Sequence, residues 1–338
     1  MKAIALTRCL PISDPEALLD VELPLPVATG RDVLVRIEAI SVNPVDTKVR
    51  KSKDITESPP RVLGWDAAGV VVAVGPEVTR FKPGDEVFYA GDITRAGCNS
   101  ELQLVDERIT GRKPASLDFA EAAALPLTTI TAWEALFEHL GIDRAGGHAG
   151  KSLLIIGGAG GVGSIAIQLA KWAGLTVIAT ASRPETREWC VGLGADFVID
   201  HRQPLPEQLN AAGFPEVDFI ANFNNTDAYW QVMAEVIRPL GRIVAIVENS
   251  GPVELGLLKS KSVGFAWEFM FTRSMHRTPD MLVQGELLDE TAALVDAGKL
   301  RTTLTATLSP INATNLIDAH RQLESGSTIG KLAIAGWQ

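Results

Sequence analysis

The sequence predicts an α/β chain in which a doubly wound parallel sheet is joined to a mainly β domain. Three observations predict it. The chain has 338 residues, enough for two domains with a sizeable core. A strand, a glycine loop and a helix follow one another near residues 153–170, and the 120 or so residues ahead of them are short β-rich runs between Gly, Pro and Asp turns. Hydrophobic residues make up 46% and charged residues 21%, ordinary globular usage that excludes a disordered or fibrous chain.

The β-rich runs at 33–38, 68–75 and 85–89, with turns such as Lys82-Pro-Gly-Asp85 between them, suggest a small barrel-like domain. The next distinctive element, residues 153–170 or LLIIGGAGGVGSIAIQLA, is uncharged, so a membrane span is the first reading to consider. A spanning helix needs about twenty apolar residues. Gly157, Gly158, Gly160, Gly161 and Gly163 crowd into this run, and each costs about 1 kcal/mol in a helix interior relative to alanine. The segment therefore divides. Residues 153–156 make a buried parallel strand, the glycines a loop, and Val162 opens a helix on which Val162, Ile165, Ala166, Leu169, Ala170 and Ala173 share one face.

In that context Gly158-x-Gly160-x-x-Gly163 is a dinucleotide fingerprint. Its first glycine permits the tight turn, the second lets backbone approach a pyrophosphate, and the third lets helix pack on strand. Gly161 and Val162 lie at the helix N-terminus, which offers N–H groups and partial positive charge to the phosphates. The run 175–180 completes a βαβ unit of about thirty residues. An NAD-selective site places Asp or Glu after this strand; here Ala181-Ser182-Arg183 follow. A hydroxyl and a guanidinium suit the 2′-phosphate of NADPH, with Arg183 making a charge-assisted contact. The competing reading is that Ser182 caps a helix starting at Pro184. Strands at 197–199, 217–221 and 241–247, the last after a helix over 229–239, continue the wind and give a dinucleotide-binding domain over 125–268.

Against 31 Lys and Arg stand 41 Asp and Glu, a formal charge of −10 that repels a phosphate backbone, so nucleic acid is not an expected partner. The first apolar run is broken at Arg8 before a signal-peptide core can form, so a cytoplasmic chain with no membrane partner is expected. Cys9, Cys98 and Cys190 lack disulfide or zinc-knuckle spacing and are expected as buried, reduced thiols.

The stretches Asn43-Pro-Val-Asp-Thr-Lys48, Leu63-Gly-Trp-Asp-Ala-Ala-Gly69, Phe81-Lys-Pro-Gly-Asp-Glu-Val87 and Ala124-Leu-Pro-Leu-Thr-Thr-Ile-Thr-Ala-Trp133, with the glycine loop, resemble the medium-chain dehydrogenase/reductase superfamily over almost the whole chain. Within it the chain is similar to the zinc-free quinone oxidoreductase branch. Residues 267–274 and 296–304 are similar to a bacterial subgroup labelled zinc-type alcohol dehydrogenase-like. The resemblance implies a Rossmann domain over 125–268, a GroES-like β-rich substrate domain made of 1–124 with 269–338, a homodimer, and an active site in the interdomain cleft.

A catalytic zinc of the alcohol dehydrogenase kind takes two thiolates and an imidazole. By resemblance those positions are Asn43, Leu127 and Trp65, and only Cys98 stands where a structural-zinc lobe carries four cysteines. His139, His148, His201, His276 and His320 show no ligand spacing. No metal is expected. An alcohol then lacks the group that lowers its pKa. Hydride transfer from NADPH to a quinone or α,β-unsaturated carbonyl needs only hydrogen-bond donors and a proton at the developing oxyanion.

The resemblance implies catalytic roles for Asn43, Asp46 and Lys48, with Lys48 where the quinone oxidoreductases carry Tyr. Lys48 reads equally well as a solvated surface charge, and Asn43 as a turn residue before Pro44. Trp65, Trp267 and Phe271 are expected around the substrate, with a plain core aromatic as the alternative for Trp65 and core or interface as the alternative for the aromatic run 265–271. By resemblance Thr131 and His201, with Asn222 and Val247, join Gly158, Gly160, Gly161, Val162, Gly163, Ser182 and Arg183 on the cofactor side; Thr131, His201 and Asn222 read alternatively as loop polar residues. The expected function is a zinc-independent, NADPH-dependent reductase of a small-molecule quinone or enone. An alcohol dehydrogenase working by another route, or an NADPH-binding protein with a structural or regulatory role, stay open as alternatives.

Overall fold

The computed structural model describes residues 1–51 and 56–337. They fall into two compact units, Met1–Ile130 with Phe271–Gln338, and Thr131–Met270.

The second unit is built on six parallel strands in the order Phe197–Ile199, Thr176–Thr180, Ser152–Ile156, Val217–Asn222, Ile237–Ala245, Gly264–Trp267. The winding reverses between Ser152–Ile156 and Val217–Asn222, so ligands are expected at the carboxyl edge there. Ser152–Ile156 is buried at every position, as an inner parallel strand should be. Helix Gly161–Trp172 buries Ile165, Ala166, Leu169 and Ala170, and the chain leaves it through Gly174 at φ +82°. Leu154, Ile156, Ile178, Ile220, Trp230 and Met233 form one core cluster.

One element departs from the sequence reading. The helix expected over 229–239 is Thr226–Val236, and the following strand opens at Ile237 rather than 241. Arg238 precedes a proline, which disfavours helical backbone. Val217 pairs with Ile237 but Phe219 with Arg242, so residues 238–241 bulge from the ladder with Leu240 at φ +62°. A bulge accommodates Pro239, which has no N–H for the sheet.

In the first unit seven strands run in the order Leu304–Leu308, Lys331–Ala335, Asp32–Ser41, Ala67–Val74, Glu86–Tyr89, Gly111–Arg112, with Leu102–Asp106 also paired to Asp32–Ser41. A second sheet joins Leu19–Glu22, Lys2–Arg8 and Thr56–Val62. Gly84, at φ +94°, makes the expected Lys82-Pro-Gly-Asp85 turn, which Lys82 N–H closes onto Asp85 Oδ2 at 3.0 Å. The predicted architecture is therefore the observed one: a doubly wound parallel sheet and a mainly β domain. Of the three thiols, Cys98 and Cys190 are buried and free, whereas Cys9 is only half-buried, which corrects the expectation for that residue.

Candidate functional site

Strand Asp32–Ser41 sets Ser41 opposite Ala333 on one side and Ile40 opposite Ala67 on the other. Asn43, Asp66 and Lys331 thus lie beside the ends of three neighbouring strands, and their side chains meet. Lys331 Nζ donates to Asp66 Oδ2 at 2.9 Å, to the Val42 carbonyl at 2.8 Å and to Asn43 Oδ1. Asn43 Nδ2 donates to Asp66 Oδ2 at 2.8 Å and to the Trp65 carbonyl at 2.9 Å. Asp66 Oδ1 accepts the Leu127 N–H at 2.7 Å, at the start of helix Pro126–Trp133. Asp46 joins through Oδ2, which accepts the Asn43 N–H at 2.7 Å.

All four side chains are buried, so the cluster operates in low dielectric, where each polar group needs a partner. Burial raises the Asp66 carboxyl against the opposing pull of Lys331 and the Asn43 hydrogen bond. For Asp46 burial pushes the carboxyl up to about 7, and its Oδ1 has no hydrogen-bond partner among the described residues. Asp46 therefore gains and loses a proton near neutral pH. Pattern alone assigns no role to Lys331 or Asp66. The available signal is Lys331 at the head of the apolar strand KLAIA, since a charge carried into a core has to be paired.

Asn43 is not a locally bonded turn residue, because its side chain reaches Trp65, Asp66 and Lys331. Lys48 lies on the exposed face of helix Pro44–Lys51, whose buried side holds Asp46. Trp65 has no exposed surface, and its ring meets Phe271 edge to face at 6.0 Å. Trp267 belongs to the other unit, is 44% exposed and packs on Phe265.

In the second unit the glycine loop links strand Ser152–Ile156 to helix Gly161–Trp172. The left-handed residue is Gly157, at φ +88°, one position before the fingerprint's first glycine. Gly158 instead serves packing, since a methyl group there would come within 2.8 Å of Ala179 Cβ. A methyl on Gly163 would strike the Gly157 carbonyl, whereas one on Gly160 meets only ordinary contacts, leaving that face open to a ligand. Thr180 anchors the loop, taking the Gly157 N–H on Oγ1 at 3.0 Å and the Gly158 N–H on its carbonyl at 3.2 Å. Asn222 ends its strand fully buried, its Nδ2 without a partner among the described residues, at the carboxyl edge near Gly157. A helix N-terminus, an open glycine face and an orphaned donor fit a dinucleotide. Thr131 is buried, His201 lies exposed in a turn, and the Val247 carbonyl accepts from Thr226 Oγ1.

Past strand Thr176–Thr180, the cap of helix Pro184–Gly192 is Arg183, whose N–H donates to Thr186 Oγ1 at 3.1 Å; Ser182 is not the cap. Arg183 also pairs with Glu185 at 3.2 Å. Two guanidiniums that the sequence pattern does not mark stand beside it. Arg202 donates to the Ser182 carbonyl at 2.8 Å while pairing with Asp200, and Arg187 bridges the carbonyls of Ala181 and Val198.

The residues at the zinc-ligand positions do not fit a zinc ion. Asn43 commits both amide atoms to Lys331, Asp66 and Trp65, an indole N–H can only donate, and Leu127 has no donor atom. Burial pushes the nearby Cys98 thiol far up, away from the thiolate that metals bind, and it donates to the Asp66 carbonyl at 3.3 Å. Among the described residues no group of three or more His, Cys, Asp or Glu could hold a metal, and no helix is long and apolar enough to cross a membrane.

Residues 29–128 match the alcohol dehydrogenase GroES-like domain and residues 193–334 the zinc-binding dehydrogenase family. A zinc-type alcohol dehydrogenase-like protein of Staphylococcus aureus is 46% identical over 335 residues, 99% of each chain. The NADPH-dependent alkenal/one oxidoreductase, chloroplastic, of Arabidopsis thaliana is 32% identical over 94% of this chain and 75% of its own. A Rhizobium etli crystal structure that bears a zinc-dependent alcohol dehydrogenase name is 53% identical, with TM-score 0.96 over 100% of this chain and 98% of that one. Escherichia coli quinone oxidoreductase complexed with NADPH is 25% identical, with TM-score 0.83 over 99% and 100%. The chain belongs to the medium-chain dehydrogenase/reductase superfamily and is an oxidoreductase of that family, with a GroES-like N-terminal domain and a Rossmann-like parallel sheet.

Proposed function

We propose that this oxidoreductase is a zinc-independent, NADPH-dependent reductase that passes hydride to quinones or α,β-unsaturated carbonyls, acting as a cytoplasmic homodimer. The observation that carries the reading is the Asn43, Asp66 and Lys331 network. It commits with hydrogen bonds the side chain of Asn43, which stands where alcohol chemistry of this family would need a metal donor. The names of the alkenal/one oxidoreductase and of the NADPH-complexed quinone oxidoreductase support the same substrate classes.

On this reading the helix amides at Gly161, Val162 and Gly163 hold a pyrophosphate beside Gly158 and Gly160, and Ser182 with Arg183 holds a 2′-phosphate. Thr131, Asn222 and Val247 contact the nicotinamide side, and His201 the adenine side. Bound NADPH supplies the hydride. The chain's own task is the oxygen of the acceptor, where negative charge develops. Asp46, whose carboxyl burial lifts to about 7, holds a proton for it from the buried side of helix Pro44–Lys51; Lys48, on the exposed face of that helix, is the alternative donor. Asn43 is held in one orientation by Lys331. Trp65, Trp267 and Phe271 supply apolar surroundings.

The test is kcat/KM for NADPH and NADH with a small quinone and an enone. A preference for NADH sinks the cofactor assignment, and an unchanged kcat/KM in Lys48→Met removes Lys48 from the chemistry.

A further inference from the structure

The first unit contains a pocket of about 570 Å³ that none of Asn43, Asp46, Asp66 or Lys331 lines. Its size falls within the range of about 300–1,000 Å³ usual for small-molecule sites. The wall is formed by the strand Leu102–Asp106, the start of Asp32–Ser41, residues 92, 95 and 96, and the segment carrying Ser274, Arg277 and Met281.

Most of the charges on this wall neutralise one another. Arg95 bonds Asp32 at 2.8 Å. Arg108 bonds Asp106 through Nε at 3.0 Å and Nη2 at 2.7 Å, and Arg31 reaches Glu107 at 2.7 Å and Glu77 at 3.9 Å. Two charges in the lining are left over. Asp92 is met by the N–H and hydroxyl of Thr94, at 2.8 and 2.7 Å, and by no cation among the described residues. The Arg277 guanidinium has no hydrogen-bond or ion-pair partner among them.

Two further observations point to a ligand. Gln103 lines the pocket at 4% exposure; its Nε2 donates to the Ala96 carbonyl at 3.0 Å, but its buried Oε1 has no donor among the described residues. Arg277 sits at φ +49°, ψ +50°, the left-handed cap of helix Thr272–His276, where glycine is the unstrained choice. A strained arginine whose head group has no hydrogen-bond or ion-pair partner among the described residues suggests that the side chain serves another purpose.

The uncommitted set is one cation, one anion and one neutral acceptor. We propose that this pocket binds a small zwitterion of the amino acid or short-peptide class, with its carboxylate on Arg277 and its ammonium on Asp92 and Gln103 Oε1. A simple anion leaves Asp92 unmatched and repelling; a simple cation does the same with Arg277. The site uses no residue assigned to hydride transfer, so it stands or falls separately from that reading.

Calorimetric titration of the full-length protein with glycine, L-glutamine, γ-aminobutyrate and glycylglycine tests it, with acetate and methylammonium as single-charge probes. At least one zwitterion is expected to bind about tenfold or more tightly than either single-charge probe. Arg277→Gln and Asp92→Asn should each raise its Kd about tenfold. Arg277→Gly relieves the backbone, so it should raise Tm while losing the same affinity, which separates binding from folding. NADPH oxidation without zwitterion should be unchanged in all three variants. The proposal is overturned if no zwitterion binds more tightly than about 10 mM or if binding survives both charge-removing variants. It is overturned equally if acetate binds as well as the zwitterions and Asp92→Asn has no effect.

Discussion

Replacing Asp46 by asparagine separates the stability of this site from its chemistry. The Asp46 carboxyl is 1% exposed, and burial lifts it from 3.8 to about 7 despite the Asn43 N–H and the Lys331 charge, both of which favour the ionised form. Between pH ~4 and ~7 the folded chain keeps a proton that the unfolded chain has released. Stability therefore falls as pH rises through that window, and the loss is complete above the folded pKa. A shift of this size corresponds to roughly 4 kcal/mol. Asp46→Asn removes the ionisation and keeps an oxygen for the Asn43 N–H, but it buries an amide N–H that lacks an acceptor, costing about 1–3 kcal/mol. The variant should be more stable than the parent by about 1–3 kcal/mol at pH 8, and its urea midpoint should fall less than the parent's between pH ~4 and ~7, the remaining fall belonging to the raised Asp66 carboxyl. On the proposed chemistry its kcat/KM for a quinone drops about 10²–10⁴-fold. If Asp46→Asn keeps the parent's pH dependence of stability, or is less stable than the parent at pH 8, the reasoning is refuted.

Other substitutions probe neighbouring parts of the account. Lys331→Met leaves the Asp66 carboxylate buried without its cation and should cost about 3–5 kcal/mol in urea unfolding at pH 8. The cost should shrink toward pH 5 as the raised Asp66 carboxyl takes up a proton, and an equal loss at both pH values would contradict the pairing. Arg183→Ala should lower kcat/KM for NADPH about tenfold and leave NADH untouched. Arg202→Ala should do the same if that guanidinium shares the 2′-phosphate, and the ratio of the two cofactors reads both out.

The nucleotide half of the molecule is legible in the sequence because its signals are local. An apolar strand, crowded glycines and a helix with one apolar face need no distant partner to be recognised, and within the glycine loop the structure adds that the left-handed turn belongs to Gly157. The bulge at 238–241 is not legible in the same way: Pro239 marks a break, but which side joins the sheet depends on pairing with Val217 and Phe219. The polar cluster is harder still. Asn43 and Asp46 stand in a recognisable stretch, while Lys331 reaches them from 288 residues away through the antiparallel register of Ala333 with Ser41. Arg202 likewise meets the Ser182 carbonyl only because two strands lie side by side. Sequence spacing carries no trace of contacts made by sheet register.

The most direct test of zinc-independent reduction is an NADPH-oxidation screen over quinones, enones and aldehydes, run beside ethanol oxidation on one preparation whose metal content is measured. Turnover of a quinone or enone with substoichiometric zinc, unchanged by chelator, is the predicted result. One equivalent of tightly held zinc, with alcohol oxidation that depends on it and no turnover of quinones or enones, would contradict the account.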